Sequence, residues 1–356
     1  MAYTTINKHT DYFNTALYQG NDSASHSITG VGFQPDLTVI KNRSQTADLQ
    51  WQDSVRGKTG SNYKYIQSTG TGAETAQGDN DGLNTFGTDG FTVGFTNSGG
   101  WNRNPDNYVG WSWKANGSGS SNTDGSITST VSENTTAGFS IVKYTGNGTA
   151  GATIGHGLGV VPTCMIVKSV SATEHWQMYH HKMGATKYIE LSSSAAEVTS
   201  SDRWNNTAPT SSVFSVGGHT SVNTNGTTYI AYCFAEKTGY SKFGSYTGNG
   251  STDGTFIYTG FKPSFYMVKQ ANVSGEGWFM WDNKRSSSGG ANENDRYLIA
   301  NSSAADGTLG VDCDFLSNGV KTRYGASATN TSGSTYIYMA FGQSLVGSNN
   351  VPCTAR

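Results

Sequence analysis

Charge is scarce in this chain. Lys, Arg, Asp and Glu supply 13% of its 356 residues, against about 25% in an average soluble protein. The formal net charge is −2 and no basic stripe occurs. Sequence-independent nucleic-acid binding needs clustered Lys and Arg to neutralise phosphates, so no nucleic-acid partner is expected. No apolar run approaches the roughly 20 residues of a bilayer-spanning helix, so membrane insertion is not expected either. The opening text, MAYTTINKHTDYFNT, lacks the charged-then-apolar pattern of a secretory signal. Cysteine is confined to positions 164, 233, 313 and 353, with no CxxC pair, which argues against zinc. Cys164 and Cys233 lie in apolar, strand-like text, and all four read as reduced thiols of a protein made in a cytosol. Capped amphipathic helix patterns are missing throughout.

What is there points to strands and turns. Glycine contributes 46 residues, about twice its usual share. Disorder is argued against by 19 Tyr, 15 Phe and 8 Trp, since disordered chains lack aromatics to bury. Asp-Gly stands at 81–82, 89–90, 124–125 and 253–254, and Asn-Gly at 147–148, 225–226, 249–250 and 318–319. These dipeptides are strong hairpin signals because both residues tolerate positive φ.

The text repeats three times. Y-Q-G-N begins at Tyr18, and Y-T-G-N at Tyr144 and Tyr246. A proline follows 17 or 18 residues later, at Pro35, Pro162 and Pro263, inside GFQPDLTVIK, GVVPTCMIVK and GFKPSFYMVK. Each stretch ends in a lysine, Lys41, Lys168 or Lys269, and a tryptophan comes next, Trp51, Trp176 or Trp278. Then come basic-Tyr-aliphatic triplets centred on Tyr65, Tyr188 and Tyr297, apolar anchors at Phe91, Phe214 and Val320, and closing runs YVGWSW, YIAYCF and YIYMAF. Ordered markers at matching spacings predict three tandem antiparallel β-sandwich or jelly-roll-like modules, an all-β fold. The boundaries are 1–113, 137–238 and 239–356, with the Gly/Ser/Thr-rich segment 114–136 as a linker. The second junction is short and aromatic, so copies two and three are expected to pack together, with copy one held more loosely. The unbroken apolar stretch after each proline predicts a strand buried on both faces. The proline sits at its start, where a missing N–H costs no ladder bond.

The same markers resemble a repeat family in virion proteins of marine tailed bacteriophages. The resemblance runs from Met1 to about Gln343 and rests on MAYTTINK…DYFNT, on YTGNG followed by GF-x-P-x-x-x-x-x-K, and on the junction YIAYCFAEKTGYSKFGSYTGNG. It implies a phage structural protein and assigns no functional residues. The expectation is a non-enzymatic virion protein, assembled in the host cytoplasm and displayed on the particle exterior as a tail-fibre or appendage component. Its partners would be other tail or capsid proteins, a host-surface glycan or receptor, and further copies of itself. The alternatives are a capsid decoration (cement) protein and, from another class, a polysaccharide-degrading tail spike.

Residues with chemical potential are few. His175, His180 and His181 lack a nearby carboxylate set, so no metal is expected; Gly78-Asp79-Asn80-Asp81-Gly82 fails the calcium-loop pattern. A glycosidase needs two carboxylates across a cleft. Asp53 and Asp282 follow the marker tryptophan in two copies only, and read as surface partners of Arg56 and Arg285. No catalytic residue and no cofactor is expected. For contacts, the candidates are Trp101 and Arg103 in the 96–107 loop, and Trp204 in SDRWNNTAP, weighed against packing of these tryptophans into their own folds.

Overall fold

The computed structural model describes residues 3–76, 78, 80–95, 99–286, 292–308, 313–325 and 327–346. The protein is nearly all β. The described helical pieces are the 3-10 turn His9–Asp11 and two single turns, Ser201–Trp204 and Thr220–Asn223.

Three large antiparallel sheets organise the chain. The first has the order Phe13–Gln19, Asn107–Trp113, Leu37–Asn42, Gln50–Asp53, Tyr65–Gln67. The third has the order Ser241–Thr247, Thr335–Gln343, Lys262–Gln270, Phe279–Asp282, Leu298–Ile299. The second contains the corresponding series Phe139–Thr145, Thr228–Phe234, Cys164–Ser169, Gln177–His180, Lys187–Glu190. It is extended at one edge by Ser120–Asn122 and Ser129–Asn134 and at the other by Val198–Thr199. The 114–136 segment is thus built into the sheet: residues 129–134 pair residue for residue with residues 139–144. Its β-branched residues, Ile127, Thr128, Thr130 and Val131, suit a strand once an edge is offered.

Side chains alternate across a strand, so a strand apolar on both faces must be covered twice. That is what happens to the post-proline strands. Leu37 and Val39, Cys164 and Ile166, and Phe265 and Met267 all enter one central core. Their neighbours Ile40, then Met165 and Val167, then Tyr266 and Val268, enter three separate outer cores. Each outer core is capped by a smaller sheet, such as His26–Thr29 with Gly90–Gly94 and Gly82–Gly87.

The central core is shared by all three sheets. Phe13 lies 5.7 Å from Phe265 and 5.2 Å from Phe341, Trp51 lies 5.1 Å from Trp176, and Trp113 lies 6.5 Å from Phe234. Phe234 and Phe341 are 5.9 Å apart. The first sheet is therefore packed as closely as the others, contrary to the expectation that it is held loosely. The N-terminal segment adds to the closure: the His9 backbone N–H donates to Gln343 Oε1 at 2.9 Å, and the Tyr3 hydroxyl donates to the Gly260 carbonyl at 3.0 Å.

Candidate functional site

The residues with the most chemical potential converge where the three sheets meet. Strand register places Asp53 opposite Leu37, His180 opposite Cys164 and Asp282 opposite Phe265, the same place in each sheet. Asp53 Oδ1 accepts from the backbone N–H groups of Val55 and Arg56, and its Oδ2 accepts from Arg56 Nε at 2.5 Å and from the Tyr232 hydroxyl at 2.8 Å. Asp282 repeats this, with Lys284 and Arg285 backbone donors, Arg285 Nε at 2.6 Å and Trp111 Nε1 at 3.0 Å. His180 Nε2 lies 3.2 Å from the Tyr338 carbonyl oxygen, and burial pushes this imidazole down to about 3. Each group reaches the next sheet in order: first to second, second to third, third to first.

Both aspartates thus pair with the arginines that the sequence suggests, but in the interior. Side chains of Asp53, Arg56, Asp282 and Arg285 are at most 1% exposed. The reason is the second donor: a carboxylate holding an indole or phenol from a neighbouring sheet must sit at the interface. A general acid or base must reach a substrate proton. These carboxylates are enclosed and their oxygens are already taken, so they act as internal stitching. The charge is tolerable only because each is paired and hydrogen-bonded.

The three marker lysines form a second ring, all fully buried. Lys41 Nζ donates to the carbonyls of Asn42 (2.8 Å) and Ser303 (3.1 Å). Lys168 Nζ donates to Ser169 (2.6 Å) and Thr71 (3.2 Å), and Lys269 Nζ to Gln270 (2.6 Å) and Ser194 (3.4 Å). One carbonyl is local and the other belongs to an adjacent sheet's segment. Burial pushes each ammonium down to about 8. The marker tryptophans make a third ring. Trp176 Nε1 donates to the Gln67 carbonyl and Trp278 Nε1 to the Glu190 carbonyl, while Trp51 Nε1 donates to Ser68 Oγ, whose hydroxyl donates to the Ala300 carbonyl.

Pro35 and Pro162 are buried two residues before Leu37 and Cys164, and Pro263 is buried two before Phe265, at a register shift. Tyr65 stacks edge-on against Trp101, Tyr188 lies under the Arg203 guanidinium at 4.2 Å, and Tyr297 packs on Phe279. The Tyr-x-Gly-Asn text is a clasp. Tyr18, Tyr144 and Tyr246 stack on Tyr108, Tyr229 and Tyr336 at 4.9 to 5.2 Å. A Cβ at Gly20, Gly146 or Gly248 would lie 2.2 to 2.5 Å from a facing carbonyl oxygen. A buried asparagine, Asn102, Asn223 or Asn330, accepts the backbone N–H that follows each glycine.

The contact candidates divide. Trp101 and Trp204 are each 1% exposed and fill outer cores of their own sheets, so neither offers a surface anchor. Packing wins because each indole closes the gap under a small outer sheet. Arg103 keeps its side chain 42% exposed, tied to Asp106 at 2.8 Å. Residues 96–98 of that loop, Asp79 of the acidic turn and Cys353 lie outside the described residues. Cys164 and Cys233 are buried free thiols, and Cys313 is buried as well. His175 sits beside Glu190 and Ser192, and His181 Nε2 lies 2.7 Å from the Phe243 carbonyl oxygen. Among the described residues no three His, Cys, Asp or Glu side chains group as metal ligands.

One polar cavity of about 410 Å³ lies between the first and second sheets, walled on one side by the 114–136 segment through Ser121, Thr128, Ser129 and Thr130. Sequence reasoning misses it, because its walls come from four stretches far apart in the chain, residues 56–74, 121–145, 170–171 and 228.

The chain belongs to the DUF7483 family, a domain of unknown function, which matches residues 8–344 and so runs through all three sheets. Comparison with curated proteins and with solved structures finds no match.

Proposed function

We propose that the chain is three copies of one antiparallel β module, closed into a ring, serving as a non-enzymatic structural protein on the exterior of a tailed-phage virion. Its place would be a tail-fibre or appendage component, binding other virion proteins and a host-surface glycan or receptor. The observation that carries this reading is the use made of Asp53, His180 and Asp282. The groups best suited to acid–base work are spent joining one sheet to the next. A spike that cuts polysaccharide would need two carboxylates facing a cleft, about 5–10 Å apart. The resemblance of the repeated text to phage virion proteins supplies the setting. A capsid decoration protein is the second reading, favoured because the three sheets share one core and are not strung as separate beads.

Localisation tests this. Labelled antibody against the chain, imaged on purified particles by electron microscopy, should decorate the particle exterior, at the tail for the first reading and at the capsid for the second. A chain abundant in infected cells but absent from purified particles would refute both. Release of reducing ends from host polysaccharide would establish the spike reading instead.

A further inference from the structure

We infer that the cavity between the first and second sheets is a binding site for a singly charged acidic sugar, a hydroxyl-rich ring bearing one carboxylate or sulfate. The inference rests on the glycan-binding part of the proposed function and names where that binding happens. Its size falls in the range of small-molecule sites, roughly 300–1,000 Å³. Its lining is mostly serine and threonine hydroxyls, with Arg56, Lys64, Glu74 and Lys143 among them. Ser121, Thr128, Thr145 and Ser171 are exposed, which leaves the cavity open to a ligand from solution.

The charges in it do not cancel. Arg56 is neutralised by Asp53 at 2.5 Å and Lys64 by Glu74 at 2.9 Å. Lys143 has a backbone partner, the Val55 carbonyl at 3.2 Å, and no carboxylate within ion-pair distance among the described residues, so one positive charge is left over.

The second observation is an unfilled donor. Arg56 and Arg285 occupy the same place beside Asp53 and Asp282. Arg285 is fully used: Nε to Asp282, Nη2 to the Met280 carbonyl, Nη1 to Asp306 Oδ1 at 2.9 Å. Arg56 matches the first two bonds, to Asp53 and to the Trp51 carbonyl. Its Nη1 is buried with no hydrogen-bond partner, and so is Glu74 Oε2, 3.8 Å away. The 3.8 Å ion pair with Glu74 is too long for a hydrogen bond, and a buried guanidinium nitrogen without one is destabilising. Nη1 is reached once the partly exposed Glu74 side chain turns aside, and a ligand oxygen there gains a charge-assisted bond that is stronger than a neutral one. The 114–136 segment, which has no counterpart at the second junction, encloses this one Arg.

Titration calorimetry on the full chain tests the site with glucuronate, glucose 6-sulfate, glucose and inorganic sulfate. The acidic sugars should bind saturably, and glucose and inorganic sulfate about tenfold more weakly or worse, the factor expected for one lost charge-assisted bond. Lys143→Ala should weaken the acidic sugars by a similar factor, and Thr130→Trp, which fills the cavity, should abolish binding. Melting curves show that each variant is folded; should Lys143→Ala not fold, Thr130→Trp decides alone. Equal affinity for inorganic sulfate would reduce the site to a simple anion hole. No saturable binding, or binding untouched by Thr130→Trp, would overturn the site while leaving virion localisation to stand or fall by microscopy.

Discussion

A lysine ammonium donating to two carbonyls in the interior gains hydrogen bonds but loses its water. Lys41, Lys168 and Lys269 show which effect is larger, since burial holds each at about 8 against an ordinary 10.5. The sign follows from proton counting. Between about 8 and 10.5 the unfolded chain binds more protons at these positions than the folded one, so stability rises with pH through that window. Opposing it are tyrosines such as Tyr18, Tyr144, Tyr246 and Tyr266, which burial pushes well above 10. They ionise in the unfolded chain first, so stability falls once pH passes about 10. The melting temperature should therefore climb from pH 7.5 to about 9.5 and decline above 10. In Lys168→Met the climb should be shallower, although the variant melts lower at pH 7.5 because two buried carbonyls lose their donor. A melting temperature flat or falling between pH 7.5 and 9.5 would mean that the three ammonium groups are better solvated than their burial implies.

At the scale of single elements, what can be read from the text is what is local. The post-proline strands announce themselves because Leu37 to Ile40, Cys164 to Val167 and Phe265 to Val268 have no polar face. The 114–136 segment does not, because Gly and Ser dilute its β-branched residues below the level of a strand signal. Its pairing depends on an edge supplied by Phe139–Thr145. The Asp53 to Arg56 spacing reads as a surface pair because such i,i+3 pairs usually are; only the Tyr232 hydroxyl, 179 residues on, draws it inside. The cavity is invisible in sequence for the same reason of distance. The 96–107 loop shows the limit of composition: Trp101 and Arg103 look like an anchoring pair, yet one is core and the other rim. Trp101→Ala should lower stability by about 3–5 kcal/mol, the usual cost of emptying a large aromatic site. Arg103→Ala, with its side chain partly in solvent, should cost about 1 kcal/mol or less. Paired thermal melts separate the two, and an unchanged melting temperature for Trp101→Ala would restore that side chain to the surface.

For the molecule as a whole, the arrangement of cores decides how it unfolds. Each outer core belongs to one sheet with its small cap. The central core belongs to none of them alone, since Phe13, Phe139, Phe234, Phe265 and Phe341 all lie in it. The three rings of aspartate or histidine, lysine and tryptophan bonds run from sheet to sheet and close on the first. Separating any sheet would expose its inner face and leave buried donors and acceptors unpaired on both sides of the break. On the second sheet that face carries Ile141, Ile166, Trp176, Met178, Ile230 and Tyr232, all at most 1% exposed in the intact chain. A contiguous apolar face of that kind, once exposed, is an aggregation surface. The chain should therefore unfold in one transition, with calorimetric and van't Hoff enthalpies equal, even though its 356 residues exceed the size at which single transitions are usual. A fragment of residues 137–238 should aggregate or stay unfolded. Independent domains on linkers would give two or three transitions and a soluble, folded 137–238 fragment. Either result would show that the outer cores hold each sheet together without the centre, and the ring of buried charges would then be a fastening between finished parts.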